Sequence, residues 1–267
     1  MIEQKKRFMH ITDATGFILE FDRPFKRLVS LFPSQTYLLW HLGLDDEVKG
    51  ITRFCKYPPH WRKQKRVVGG TKDAKIDRIL ALEPDLVLAN KEENTKETVE
   101  ELRHHVPVYT SEVVTWDDNL RFIRQTGMLT GREAEAEKLI RQVETKRRAW
   151  QERQGNQRRQ ALYFIWRKPW MTAGTGTFIH TMLGMAGFEN LTRAPRYPMW
   201  DESELAEMHP EVVLLSSEPF PFKEKHADEL RAFFPEAEFL LVEGEPFTWF
   251  GAYPLQAFDY FANLQQK

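Results

Sequence analysis

Ile79-Leu80-Ala81-Leu82-Glu83-Pro84-Asp85-Leu86-Val87-Leu88 returns in outline as Leu205-Ala206-Glu207-Met208-His209-Pro210-Glu211-Val212-Val213-Leu214. In both copies a helical apolar spacing runs into a proline, which cannot continue a helix interior. An acidic residue follows, then a short apolar run of the kind a buried parallel strand shows. Each copy therefore reads as a helix feeding a core strand. A second pairing agrees. Leu28 to Phe32 leads through Pro33-Ser34 into a helical stretch ending at Leu42-Gly43, and Ala161 to Trp166 leads through Pro169 and Gly174-Thr175-Gly176 into one ending at Ala186-Gly187. Two similar α/β lobes imply a cleft, and a cleft is where a ligand would sit.

The bulk properties bound the function. A chain of 267 residues is one or two domains, and 42% apolar residues suffice for a substantial core. Lys+Arg 38 against Asp+Glu 39 leaves almost no net charge, which argues against a nucleic-acid partner. No apolar run approaches the roughly 20 residues of a membrane span, so membrane insertion is not expected. Met1 to Lys6 is basic, but Phe8 to Asp13 lacks the apolar run and cleavage site of a secretory signal. The expectation is a cytoplasmic chain, or a periplasmic or cell-surface one whose leader has been removed. The single cysteine, Cys55, excludes an internal disulfide framework and reads as a small buried apolar group.

Between the halves the composition changes. A helical pattern from Asp117 to Arg132 ends near Gly127 and Gly131, and Glu133 to Gln154 then runs without Gly or Pro, rich in strong helix formers. Ala136, Leu139, Ile140, Val143 and Trp150 form a sparse apolar stripe, with Glu137/Arg141 and Glu144/Arg148 as favourable i,i+4 pairs. About 22 helical residues span about 33 Å, enough to act as a backbone bridging two lobes. The expected domains are 1–116, an N-terminal lobe; 117–154, connecting helices including the long one; and 155–267, a C-terminal lobe.

These residues resemble a family. Leu28-Val29-Ser30-Leu31-Phe32-Pro33-Ser34-Gln35-Thr36, the segment Val48 to Thr52 leading to Cys55-Lys56-Tyr57-Pro58-Pro59, and Ile76 to Val87 are similar to the class III substrate-binding proteins of ABC importers. That group carries cobalamin, iron-siderophores and haem. Gly174-Thr175-Gly176-Thr177-Phe178 and Trp249-Phe250 continue the match, which runs from about Arg27 onward. Met1 to Phe25 resembles the short β extension that precedes the first lobe in many relatives, so a β extension over 1–25 of the N-terminal lobe is expected. The resemblance implies two Rossmann-like lobes, each a mainly parallel sheet flanked by helices, joined by one long backbone helix with the ligand cleft between them. It implies capture of a metal chelate, delivery to a permease with its ATPase, a monomer, no catalysis and no resident cofactor.

In open α/β sheets, ligands bind beyond the carboxyl ends of the strands. The loops expected there are aromatic: Phe32-Pro33-Ser34, Tyr57 and Trp61, Trp166 and Arg167 with Trp170, Trp200, and Trp249-Phe250. Rings of this kind would stack on a flat macrocycle, at about 0.5 to 1.5 kcal/mol each beyond area. Any one tryptophan can equally be core, since Trp is highly buried on average. Relatives often place an aromatic just after the strand ending at Ala89, where this chain has Asn90-Lys91-Glu92-Glu93. Cations near these loops, Arg53, Lys91, Arg167, Lys168, Arg193 and Arg196, would suit carboxylates or phenolates, although a solvated face accounts for any one of them.

For docking, the resemblance implies an acid on each lobe that pairs with permease arginines. Asp77, on a helix that Asp73 could cap, fits in the first half. Its repeat equivalent falls on Ser203, flanked by Glu202 and Glu204. Acids near helix N-termini also simply complement the macrodipole. No G-x-S-x-G, H-E-x-x-H or Walker loop is present, and the eight histidines lack metal-ligand spacing. Two alternatives stay open: a cytoplasmic corrinoid or metal-chelate carrier of the same fold, and a two-lobed enzyme.

Overall fold

A computed structural model describes residues 8–155 and 158–265. The chain divides into two compact units. The first holds the residues through Val113, Asp117–Val143 and Phe250–Tyr253; the second holds Val114–Trp116, Glu144–Trp249 and the residues from Pro254 on.

In the first unit β1 (Met9–Thr12) and β2 (Ile18–Phe21) pair antiparallel, Met9 opposite Phe21. This hairpin is the described part of the expected extension; residues 1–7 lie outside the described residues. There follow β3 (Leu28–Ser30), α1 (Pro33–His41), β4 (Val48–Ile51), α2 (Trp61–Gln64), β5 (Arg66–Val67), α3 (Ile76–Leu80), β6 (Leu86–Asn90), α4 (Lys96–Arg103), β7 (Val108–Ser111) and α5 (Trp116–Thr130). The sheet order is β5-β4-β3-β6-β7, and each neighbouring pair is parallel. β3 and β6 are buried along their whole length, as central parallel strands must be. Val29, Leu31, Val68, Val87, Ala89, Leu102 and Val108 share one core.

The hairpin is fastened by Asp13, only 6% exposed. One carboxylate oxygen accepts from the backbone N–H groups of Thr15 (2.8 Å) and Phe17 (3.0 Å); the other accepts from the Arg103 guanidinium (2.6 Å) and the Thr110 N–H (3.1 Å). Ala14 also donates to the Thr110 carbonyl, so the turn covers part of the edge strand β7.

α6 (Glu133–Gln151) passes from the first unit into the second at Val143/Glu144. It stops three residues short of the expected Gln154, where the chain turns before Gly155. Gly127, expected to end the preceding helix, lies inside α5. A Cβ there would stand 2.6 Å from the Ala136 Cβ, so the missing side chain lets α5 and α6 approach. The helix ends at Gly131, the second of the two glycines expected at its end, whose φ of +67° suits a left-handed stop.

The second unit continues with β8 (Arg159–Trp166), β9 (Trp170–Thr172), α7 (Phe178–Met185), β10 (Phe188–Asn190), β11 (Met199–Trp200), α8 (Glu202–Ala206), β12 (Val212–Ser216), α9 (Glu224–Arg231), β13 (Glu238–Val242), α10 (Glu245–Thr248) and α11 (Pro254–Leu264). β10, β12 and β13 extend β8 as a parallel sheet, while β9 and β11 add an antiparallel margin. Leu162, Phe164, Val213, Leu215 and Leu230 lie in its core.

The proline-acid signature has the same task in each unit. Asp85 accepts from the backbone N–H groups of Lys26 and Arg27, both at 2.8 Å, just before β3; Glu211 accepts from the Gln160 N–H at 2.6 Å, at the start of β8. Each acid ties the incoming end of one core strand to its neighbour.

Candidate functional site

In the first unit the chain moves from β3 to β4 and β5 on one side, then to β6 and β7 on the other. The order reverses between β3 and β6, and the carboxyl ends of those strands form the natural crevice. Pro33 opens α1 on one side of it and Ser34 is buried beside it. On the other side two asparagines shape the loop after β6. The Asn90 Oδ1 accepts from the N–H groups of Glu92 (3.0 Å) and Glu93 (3.2 Å). The Asn94 Nδ2 donates to the carbonyls of Leu31 (3.2 Å) and Thr71 (2.9 Å). Loops after three strands are thereby joined. Gln35, wholly buried in the first turn of α1, has neither side-chain amide atom hydrogen-bonded among the described residues.

Charge around this crevice is paired. Arg53 grips Asp73 through two bonds of 3.0 and 2.9 Å, which hold the Asp73 carboxyl below its usual range, and Lys91 lies 2.9 Å from Glu112. Lys72 donates to the Glu92 carbonyl. Burial pushes the Glu93 carboxyl up, against the pull of Lys72 and a Thr71 hydrogen bond. Tyr57, 39% exposed, meets Tyr37 edge-on at 6.0 Å; burial and then Tyr57 push the Tyr37 phenol up to about 12, so it stays neutral.

The expectation for Trp61 is corrected. It is 0% exposed and its indole donates to Asp45 at 2.8 Å, a core role for a large ring with a polar partner in reach. Phe250 packs likewise against Phe32 (5.5 Å) and Phe122 (5.3 Å), and Trp249 is 7% exposed. Asp73 does not cap α3, whose N-cap is Lys75, because Arg53 holds it instead. Asp77 is exposed in the first turn of α3.

The equivalent crevice of the second unit lies between β8 and β12. Trp166, 41% exposed at the end of β8, meets Phe220 edge-on at 5.8 Å; Phe220 meets Phe222 at 4.8 Å, and Phe222 stacks on Trp170 at 6.4 Å and 8°. Trp170 and Trp200, expected in loops, are cross-strand partners on β9 and β11. The Trp200 indole donates to the Thr172 hydroxyl at 2.7 Å. Arg167 is held by Glu229 at 2.6 Å and lies 5.6 Å from the Trp170 ring centroid. The N-terminus of α7 is capped by Thr177, which accepts from the His180 N–H at 3.1 Å.

The two acids expected to dock in this unit separate. Asp201 and Glu204 form a reciprocal capping box on α8, the Glu204 carboxylate accepting from the Asp201 N–H at 2.9 Å. Glu204 is thus committed to its own helix, and both it and Glu202 beside it are exposed. Sequence reasoning missed Asn90, Asn94, Gln35, Phe220, Phe222 and Glu229. Of these, Phe220 and Phe222 carried a readable signal, aromatics directly after a buried strand.

A cavity of about 770 Å³ in the first unit lies between the hairpin turn at Thr15 and Phe17 and the Val99/Arg103 face of α4; Lys91 and Asn94 of the loop after β6 reach its lining, and none of the expected aromatic residues does. Among the described residues no group of His, Cys, Asp and Glu is arranged to hold a bare metal ion, and no helix is long and apolar enough to cross a membrane.

Two parallel α/β units with ring-lined carboxyl-end loops are the architecture of a two-domain binding protein. The chain belongs to the periplasmic binding protein family, whose model matches residues 28–237. It is 26% identical over 200 residues to the vitamin B12-binding protein of Vibrio parahaemolyticus, covering 73% of this chain and 72% of the relative. It is 25% identical over 215 residues to the ABC transporter substrate-binding lipoprotein YvrC of Bacillus subtilis, covering 76% and 68%. Among solved structures, the periplasmic haem-binding protein RhuT from Roseiflexus sp. RS-1 superposes with a TM-score of 0.78 at 21% identity, over 90% of this chain and 98% of that one. The periplasmic vitamin B12-binding protein BtuF of Vibrio cholerae does so with 0.73 at 21%, over 91% and 99%. These two show a shared fold.

Proposed function

We propose that this chain is the substrate-binding protein of an ABC importer. It captures a metal chelate, a corrinoid, ferric siderophore or haem, on the carboxyl-end loops of its sheets and passes it to a permease outside the cytoplasmic membrane. The observation that carries this reading is the exposure of large rings where ligands of open α/β sheets bind. Tyr57 and Trp166 are 39% and 41% exposed, each backed by a further ring that holds it in place. Exposed apolar rings at such a place suit a flat, conjugated ligand. Relatives named for vitamin B12 and for ABC transport support the same class. No covalent chemistry is needed: capture requires only rings, hydrogen bonds and preformed loops.

The test is truncation of the exposed rings. Tyr57→Ala and Trp166→Ala should each weaken chelate binding about fivefold or more, about 1 kcal/mol, in a calorimetric titration, with the thermal midpoint nearly unchanged. Normal binding by both variants would remove the rings from the site and with them this reading.

A further inference from the structure

Six cations were expected near the carboxyl-end loops of the sheets; five of them are already partnered, and the sixth, Lys168, stands exposed without a partner among the described residues. In the first unit Arg53 is clamped by Asp73, Lys91 by Glu112, and Lys72 by the Glu92 carbonyl beside the Glu93 carboxyl. In the second unit Arg167 is held by Glu229, Arg193 by Glu189, and Arg196 donates to the Gly176 carbonyl at 3.0 Å. The acids are occupied too: the Glu218 carboxylate accepts from the Thr248 hydroxyl at 3.0 Å.

From this pairing we infer that the ligand is a chelate of little or no net charge, of the corrinoid or neutral ferric tris-hydroxamate kind, and that polyanionic chelates are rejected. This rests on the chelate-receptor reading above and narrows it. An anionic ligand would have to take a guanidinium or ammonium from its carboxylate. The stranded carboxylate would then lie unpaired beside the ligand's own charge, and that repulsion is the discriminating element. A neutral chelate leaves every pair intact. Burial also favours the uncharged form of Glu93, so this carboxyl suits an amide-rich periphery.

The experiment is a tryptophan-fluorescence titration of the full chain with four probes: cyanocobalamin and ferrichrome, both uncharged; haemin, which carries two propionates; and ferric enterobactin, a trianion. One of the uncharged probes should bind at least about tenfold more tightly than either anion, and its affinity should change less than about twofold between about 0.05 and 0.5 M NaCl. Glu229→Gln, which releases Arg167, should raise the affinity for ferric enterobactin about threefold or more. Tightest binding by haemin or ferric enterobactin, a tenfold loss with salt, or no gain in the variant would overturn the charge inference and leave the receptor reading standing. Saturable binding by none of the four would overturn both.

Discussion

Glu93 illustrates how a single side chain reports its surroundings. Its carboxyl is pushed up by burial, so the folded chain holds that proton to higher pH than the unfolded chain does. Stability is then lost as pH rises from the ordinary glutamate value through the folded one, and the cost is fully present above the folded value. Glu93→Gln should therefore be more stable than the parent at pH 7 by urea denaturation, with the gain vanishing below about pH 4, where both states of the parent are protonated. A variant less stable at neutral pH would mean that Lys72 outweighs burial. Residues of this kind were poorly legible in the sequence. Trp61 reads as a loop aromatic until Asp45 is found beneath its indole, and Asn90 and Asn94 read as plain loop polars until their partners just after β3, just after β5 and on β7 are known. In each instance the deciding partner is distant along the chain.

At the scale of elements the sequence was far more informative, because period and punctuation act locally. The two proline-acid signatures each mark a helix running into a buried strand, and Asp85 and Glu211 perform the same strand-tying bond. What escaped was β9 with β11, strands of three and two residues too short to show alternation. Gly127 reads as a helix end because glycine commonly ends helices, whereas here it permits a close crossing. Gly127→Val should cost about 2 to 3 kcal/mol in chemical denaturation by forcing α5 from Ala136, and Ala136→Gly in the same chain should recover part of the loss. A harmless Gly127→Val would show that the crossing is loose. The hairpin, by contrast, is fastened to residues distant along the chain: removing the buried Asp13 carboxylate should cost about 3 kcal/mol or more, because Arg103 would be left without its ion pair.

For the whole molecule, the importer reading requires a surface for a permease as well as a site for a ligand. Asp77 and Glu202 are the acids we propose for it, each in the first turn of a helix on its own unit, while Glu204 is committed to its capping box. Asp77→Lys combined with Glu202→Lys should slow association with the permease in surface-binding kinetics and remove its salt dependence, with chelate affinity untouched. Unchanged kinetics would detach these acids from docking. The central claim, reversible capture of an intact chelate, is tested most directly by native mass spectrometry of the protein after exposure to the four chelates, followed by release and recovery of what was bound. The account predicts one chelate per chain, recovered with its mass unaltered. No adduct with any chelate, or recovery of a chemically changed one, would contradict it.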